Sequence, residues 1–595
     1  MGIRNWRVLR PFSGMIHDLQ LRAPWYGSDW VGKEDIWRDS ETLYKILSGT
    51  IRIFFVNLLP ALAYALDMYY RTDHIWGTNE VLLASAIPAV LFAVFSCQPL
   101  TIVGVTGLID LFGYTTYNIV TVRYGVDFLG FMAWVGIWAA IMHWLISIFN
   151  WCDYMKYVTD FSSTAFGMYV GIVYIIKGVE LIIEEFGEGL SEANGYLSCL
   201  IALLFFALTW MTTRIGMGNY LHRYIRGFCT DFSLVIWTIF FAGFAHIPGH
   251  LRDVDVRKYP VSQAFQPTPP IDPASRAHGW FIHFWEIPVR WWFIAIPFAA
   301  LVTALFYYDH NVSSLMAQAR HYPLRKHAGF HWDFFLLGIT TLVAGFIGIP
   351  YPNGLVPQAP VHTDSCAIMR WPRLDDDHDG SEQTISSSEN REEKKKGPYI
   401  VRILEQRWTH FGMGLLLFGM LTRPLLVALS TVPRAVFAGV FITVGWASIE
   451  SNPITLRTVN LLRDPIATPT RRKRATVLFL SLQWLTIAAE VAISQTIAAI
   501  GFPVIILLLI PLRWTWMLRW FSYEELAELD TPTAEADVVL DSFGGAPAIQ
   551  SRTKPRSNAD PEKSSATANA TDATPSDARR RKLKQAEQDN PFTMG

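Results

Sequence analysis

Long apolar runs that recur along the chain are the feature that most restricts its fold. An α-helix needs roughly 20 such residues to cross the hydrocarbon core of a bilayer. Hydrophobic residues make up 51% of the 595 positions and charged residues only 17%, whereas soluble domains carry about 25% charged residues. The chain is therefore predicted to be an all-α polytopic membrane protein with spans near 48–70, 81–97, 129–150, 161–183, 196–212, 228–247, 291–319, 333–349, 408–429, 433–450, 474–498 and 500–520.

Two further apolar pieces are too short to cross a bilayer. One lies near 100–112 and follows Pro99, and the other lies near 359–370, where Pro357 and Pro360 mark a break. Each is third in a set of seven segments, and paired interrupted segments are typical of inverted-repeat transporters. We therefore predict about fourteen segments in a 7+7 inverted repeat with two half-helices. Repeat 1 covers 46–248, an extracellular loop covers 249–289, and repeat 2 covers 290–525.

Three polar regions complete the predicted organisation: a cytosolic N-terminal segment at 1–45, a cytosolic linker at 372–399 and a disordered cytosolic tail at 526–595. Lysine and arginine are concentrated in the connections 320–326 and 457–474, which the positive-inside rule places in the cytosol together with both termini. The net charge of −1 gives no electrostatic support for binding nucleic acid.

The two half-helices are the predicted binding site. A helix that begins inside the membrane directs unpaired N–H groups and a partial positive charge at the interior, so two such ends can hold an anion. Gln98 and Thr101 accompany the first predicted end, and Gln358 and Thr363 accompany the second. The alternative is that both breaks are re-entrant loops with packing roles only.

Ionisable residues inside spans are costly and commonly functional. Asp309 lies between long apolar runs, and Asp67 lies near the end of the first span, where an interfacial structural role is the alternative. Asn57, in the same span, could line a cavity. The sequence contains no nucleophile–base pair, cofactor motif or metal-ligand spacing, so we predict neither an enzyme nor a cofactor or metal.

Four stretches are characteristic in their order and spacing: 56–61 (VNLLPA), 98–107 (QPLTIVGVTG), the Asp309-His310 pair, and 349–363 (IPYPNGLVPQAPVHT). Together they resemble the bicarbonate-transporter (anion exchanger) superfamily, particularly its fungal and plant borate-exporter branch. The resemblance implies a core domain that holds both half-helices, a gate domain that forms a homodimer, and an elevator-like cycle. The substrate-binding residues that it implies are Asn57, Asp67, Gln98, Thr101, Asp309, Gln358 and Thr363.

The resemblance also bears on the substrate. Chloride/bicarbonate exchangers carry an arginine where this chain has Gln358, and an amide, which both donates and accepts, suits the hydroxyl groups of borate. The family usually has proline after the Thr-Gly pair, where this chain has Leu108, with Asp110 close behind. We expect export of borate or boric acid across the plasma membrane, with the vacuolar membrane as the alternative location. A bicarbonate or other small-anion exchanger and a non-transporting membrane scaffold are the alternative functions.

Overall fold

The computed structural model is mostly helical. It describes residues 10–31, 40–187, 191–218, 220–244, 246–247, 254, 256–262, 264–370, 399–463, 473–496 and 501–545. In the first half of the chain the α-helices are α1 (Ser13–Trp30), α2 (Ser40–Arg71), α3 (Thr78–Phe95), α4 (Gly107–Tyr117), α5 (Phe128–Ile148), α6 (Asp160–Glu184), α7 (Glu192–Met217) and α8 (Arg223–Phe244). A π-helical turn, Asn118–Val122, continues α4, and a 3-10 helix, Trp151–Tyr157, precedes α6.

The second half begins after a further 3-10 turn, Pro273–Arg276. Its longer helices are α9 (Val289–Ala317), α10 (Phe330–Ile347), α12 (Trp408–Met420), α14 (Arg434–Ser451), α15 (Pro453–Leu462), α16 (Lys473–Ser494) and α17 (Phe502–Thr515). The shorter ones are α11 (Gln358–Ser365), α13 (Arg423–Leu429), α18 (Met517–Trp520), α19 (Tyr523–Leu529) and α20 (Asp537–Leu540).

Each of the twelve predicted spans coincides with helix, but not always with one straight helix. Among the described residues, nine helices are long and apolar enough to cross a membrane, or up to eleven if two bent pairs count as one span each. The predicted span 408–429 is one of these pairs, because α12 and α13 meet at 82°. Pro424 lies in the first turn of α13, where a residue without an N–H group favours the start of a new helix. The fourteen-segment, 7+7 organisation exceeds this count and stays a prediction.

The boundaries predicted for the first half-helix are wrong, and so is the predicted end of the second, whose start at Gln358 lies within one residue of the prediction. The first helix begins at Gly107 instead of near residue 100, because Val103–Gly104 forms strand β1 and Thr106 is extended at the helix N-cap. The second helix, α11, ends at Ser365, because Ala367–Arg370 forms strand β3, antiparallel to β4 (Tyr399–Ile403). In both places, residues that the sequence analysis expected to lie in a helix form short paired strands instead.

Residues at both ends of the described chain pack against the membrane helices. Asp18 of α1 accepts hydrogen bonds from the His331 N–H (2.8 Å) and the Ser542 hydroxyl (2.7 Å). Asp530 accepts one from the Phe161 N–H at 2.8 Å. Residues 526–545 are therefore ordered, contrary to the predicted start of the disordered tail. Residues 1–9, 32–39, nearly all of the predicted linker, and 546–595 lie outside the described residues.

Candidate substrate site

The two half-helices are brought together by a short strand pair. Strand β2 (Asn353–Gly354) runs antiparallel to β1, with Val103 opposite Gly354, and the Leu355 N–H donates to the Ile102 carbonyl at 2.9 Å. A Cβ at Gly354 would lie 2.8 Å from the Cα of His310, so only glycine allows the strand to approach α9 this closely. The pairing places the start of α4 near the start of α11.

A cavity lies where the two helices begin. Its wall combines the start of α4, the chain leading into α11, and side chains of α2, α6 and α9. The lining residues are Tyr64, Thr106, Gly107, Leu108, Val170, Val173, Tyr174, Asp309, Leu355, Val356, Pro357 and Gln358. None of these is Lys, Arg or His, so any positive potential at the wall comes from helix N-termini and neutral donors.

Asp309 is the acidic residue of the wall. It is buried, and its Oδ2 accepts a hydrogen bond from Asn353 Nδ2 at 2.7 Å. The Asn353 amide is itself held in place, because its Oδ1 accepts from the Gly354 N–H at 2.8 Å. The Asp309 carboxyl is therefore fixed by the residue that also pairs in β2.

Gln358 is the first residue of α11 and presents its amide at the wall. Its Nε2 donates to Tyr174 Oη at 3.4 Å, and its buried Oε1 has no hydrogen-bond partner within the described parts of the chain. An amide has two donors and one acceptor oxygen. The cavity therefore offers a free acceptor, a carboxyl group and hydroxyls, which suits a small polyhydroxylated solute.

The two helix starts are capped differently. The Thr106 hydroxyl accepts from the Ile109 N–H at 3.4 Å at the start of α4. The N-cap of α11 is Pro357, whose side chain makes no capping hydrogen bond. In the first turn of α11 the Ala359 N–H donates to the Leu355 carbonyl at 3.0 Å and Pro360 has no N–H group, so two of its first three positions have no free N–H.

Asn57 and Thr363, both predicted to bind substrate, lie outside the cavity wall. The Asn57 side chain is next to Gly104 of β1, and its Nδ2 is directed at the Met413 sulfur, 3.4 Å away. The Thr363 hydroxyl donates to the Ala317 carbonyl at 2.8 Å. Both side chains are buried and are placed to hold the strand and helix that form the wall.

Gln98 and Thr101 also lie outside the wall, in a turn before β1 in which the Thr101 N–H donates to the Gln98 carbonyl at 3.3 Å. The Gln98 N–H donates to Asp333 Oδ2 at 3.0 Å, and its side-chain Oε1 accepts from the Leu100 N–H at 3.2 Å. The Thr101 hydroxyl is buried and has no partner among the described residues. Both residues precede Gly107, the first residue of α4, so they do not lie at the helix N-terminus where the sequence analysis placed them.

Asp67 belongs to a charged cluster on α2 and α6. Its Oδ1 accepts from Arg71 Nε and its Oδ2 from Lys177 Nζ, both at 2.9 Å. Glu180 lies 3.2 Å from Arg71 and 3.3 Å from Lys177. The interfacial structural role that the sequence left open for Asp67 agrees with these ion pairs.

The sequence analysis missed several residues of the site. Tyr64 and Tyr174 pack edge-to-face against each other in the cavity wall, with ring centroids 5.5 Å apart, and no local pattern identifies such a contact. Thr106 could have been found, because a threonine preceding a helix is a common N-cap. Lys177 could also have been found, since a lysine within an apolar span is rare.

Away from the cavity, one group of side chains could hold a cation. In the connection before α9, the ligand atoms of His278, His283 and Glu286 lie within 4.8 Å of one another. The sequence predicted no metal site, because the spacing of these residues matches no common ligand motif. The group is partly exposed and does not contribute to the cavity.

Comparison with known proteins places the chain in a family. The model of the HCO3- transporter integral membrane domain matches residues 10–194 and 187–534. A protein of Schizosaccharomyces pombe named as a transporter is 43% identical over 526 residues, which cover 87% of this chain and 95% of that relative. Boron transporter 1 of Saccharomyces cerevisiae is 38% identical over 531 residues, which cover 88% of this chain and 86% of that relative.

The transmembrane domain of the cyanobacterial bicarbonate transporter BicA is a solved structure with similarity to this chain. The match has a TM-score of 0.49 and 14% identity and covers 77% of this chain and 97% of that one. The family model and the two relatives each match most of the chain, and both relatives are more than 30% identical to it. The chain therefore belongs to the HCO3- transporter family of integral membrane proteins.

Proposed function

We propose that the protein exports borate or boric acid across the plasma membrane. Two lines of evidence support this substrate: the similarity to a yeast boron transporter and the chemistry of the cavity wall. The single observation that carries the proposal is the Gln358 amide at the start of α11, with its Oε1 free in a wall that contains no cationic side chain. Borate hydroxyls both donate and accept hydrogen bonds, and an amide can match both roles.

In the proposed site, Asp309 and Gln358 contact the substrate directly. Asn57, Gln98 and Thr363 act indirectly, by holding the strands and helices that form the wall, and Thr101 is buried near them without a hydrogen bond from its hydroxyl to any described residue. Asp67 acts through its cluster with Lys177 and Arg71. The helix N-termini of α4 and α11 supply the partial positive charge that a borate anion requires.

The proposed mechanism is elevator-like alternating access. A core that contains α4 and α11 carries the cavity across the membrane against a gate that forms a homodimer, with both chain termini in the cytosol. The fourteen segments would form two inverted repeats of seven. Cysteine labelling from each side of the membrane tests this topology: the region around 372–399 and the N-terminus should be labelled from the same side, and opposite labelling would overturn the repeat.

Boron flux is the direct test of the substrate. The purified protein is reconstituted into liposomes, and boron movement is measured with and without competing bicarbonate. In parallel, boron content and growth are measured in cells that lack their own boron transporter and are given boron in excess. Lower cell boron and better growth, together with flux that bicarbonate does not inhibit, would support the proposal.

A bicarbonate exchanger is the second candidate, because the matching family model describes a HCO3- transporter domain. Bicarbonate flux without boron flux in the same liposomes would favour it. If a correctly folded protein moved neither solute nor other small anions, the remaining alternative would be a membrane scaffold.

A further inference from the structure

Asp110 is a buried acid that the proposed substrate site does not use. It lies in the first turn of α4, its side chain is fully buried, and neither carboxyl oxygen accepts a hydrogen bond from any described residue. The cavity wall is formed by residues three and four positions earlier, Thr106 and Gly107. The acid therefore lies one helical turn behind the anion-facing end of α4.

The immediate neighbour of Asp110 is another carboxyl group. Its side chain contacts that of Asp67, and both Asp67 oxygens already accept hydrogen bonds from cationic donors, Arg71 and Lys177. Two carboxylates cannot hydrogen-bond to each other, because both are acceptors only. Their contact becomes a hydrogen bond when Asp110 carries a proton and donates it to Asp67.

The charges around the pair lead to the same conclusion. Three acidic groups, Asp67, Asp110 and Glu180, surround two basic ones, so the fully ionised cluster has one excess negative charge. A single added proton balances it. The titratable and charged groups that face Asp110 are Asp67, Tyr64 and Arg71 of α2, Lys177 of α6, and Tyr114 of α4 itself. Glu180 of α6 pairs with Arg71 and Lys177.

A metal cation fits this site poorly. Hard cations need several oxygen ligands, and both oxygens of Asp67 are occupied by Lys177 and Arg71. Of the four carboxyl oxygens of Asp67 and Asp110, only the two of Asp110 remain. A proton needs one donor and one acceptor oxygen, and the Asp110–Asp67 contact supplies both.

We propose that Asp110 is a proton-binding residue of this transporter and that its proton strengthens anion binding in the neighbouring cavity. The link is electrostatic. An ionised carboxylate in the first turn of α4 offsets the partial positive charge of that helix end, whereas the neutral acid leaves this charge available to the anion. Anion affinity therefore rises as the pH falls and Asp110 takes up its proton, which moves from solvent to an Asp110 oxygen without any bond changing in the substrate.

Infrared difference spectroscopy tests the proton itself, and this test does not depend on the function proposed above. Spectra of purified parent, Asp110→Asn and Asp67→Asn are compared across pH, with Asp272→Asn as a control, because Asp272 is an exposed acid outside the membrane helices. We expect one protonated-carboxyl band to be lost in both Asp110→Asn and Asp67→Asn, since without Asp67 the Asp110 carboxylate can pair with Lys177. The control should keep the band. A band that survives in Asp110→Asn overturns the proposal.

Transport measurements test the coupling, and this part rests on the proposed function. The parent should show a KM for boron, or for bicarbonate, that rises with pH, whereas Asp110→Asn should keep the low-pH KM at every pH. A parental pH profile in Asp110→Asn, or a parental band that persists unchanged at all pH values, overturns the coupling. If no variant or parent moves either solute but the infrared bands behave as expected, the proposed function fails and the proton site stands. Should Asp110→Asn not reach the membrane, Asp67→Asn tests the coupling in the opposite sense: it leaves Asp110 ionised beside Lys177, so it should keep the high-pH KM at every pH, and a parental pH profile in this variant overturns the coupling.

Discussion

The two half-helices meet at one cavity but contribute to it in different ways. The first, α4, is capped by Thr106, has an acid in its first turn and is covered by Tyr64; a Cβ at Gly107 would lie 2.5 Å from the Tyr64 hydroxyl oxygen. The second, α11, has no side-chain cap or acid in its first turn and presents the Gln358 amide. The structural symmetry expected of a repeat is thus not matched by chemical symmetry.

This difference suggests that the two helices have different roles. Because α11 presents the Gln358 amide, whose oxygen has no hydrogen-bond partner among the described residues, it is suited to recognise the solute. Because α4 carries Asp110 in its first turn and lies beside the charged cluster of Asp67 and Lys177, the electrostatic potential at its N-terminus can change when Asp110 is protonated. Each prediction below alters one side of this comparison, and the expected effects decrease from the first to the last.

The largest effect is expected at the strand pair that both helices share. Gly354→Ala places a Cβ 2.8 Å from the backbone of α9 at His310, and overpacking of this kind costs about 1–3 kcal/mol. We expect a lower melting temperature and loss of transport, measured by thermal shift and liposome flux. Gly419→Ala is the matched control, because no atom lies within 4 Å of its added Cβ. Parental flux in Gly354→Ala would mean that the close approach of β2 to α9 does not determine the shape of the cavity.

The next effect is expected at the recognition side. Gln358→Arg replaces an amide by a fixed charge and should lower boron flux roughly 3- to 10-fold, the equivalent of about one hydrogen bond, while raising flux of firmly charged anions. Gln358→Met separates the two causes, since it removes the amide without adding charge and should lower boron flux without that gain. Unchanged boron flux in Gln358→Arg at normal surface expression would remove Gln358 from the site.

The positions of the apolar helices could be predicted from the sequence, because a run of apolar residues is a local property. The start of the second half-helix could also be predicted, but that of the first could not. Pro99 suggests a helix start, but the chain forms a turn and then strand β1 before Thr106, because Val103–Gly104 pairs with residues about 250 positions away. The contact between Asp67 and Lys177, 110 positions apart, is equally invisible to local patterns.

Asp309 and Gln358 were identifiable because each has a local signal. An acid between apolar runs and a polar residue after a proline break stand out in any context. Gln98 and Thr101 gave the same kind of signal but lie outside the cavity wall, in the turn before β1, where the Gln98 N–H donates to Asp333. Only the long-range pairing of β1 with β2 distinguishes the polar residues that line the cavity from those that do not.

A moderate effect is expected for Asp309→Asn, which keeps the size and hydrogen-bonding capacity of the side chain but removes its titration. If the proton of Asp309 travels with the substrate, the variant should reach the membrane and exchange boron, yet lose the pH dependence of net flux. If Asp309 is only an ionised partner of the Asn353 amide, the variant should express poorly or be inactive at every pH. Boron flux measured across pH decides between these outcomes, and an unaltered pH profile would exclude coupling through Asp309.

The smallest effect is expected at the cap of α4, and it distinguishes the observed helix start from the predicted one. Thr106→Ala removes the hydroxyl that accepts from the Ile109 N–H, and loss of an N-cap costs about 0.5–2 kcal/mol. We expect a melting temperature a few degrees lower and a higher KM for boron, with both values restored by Thr106→Ser. Thr101→Ala should have little effect, because the Thr101 hydroxyl makes no hydrogen bond within the described residues and no cap depends on it. If Thr101→Ala proved the more damaging change, α4 would begin near residue 100 in the membrane, and the two half-helices would be more alike than the structure indicates.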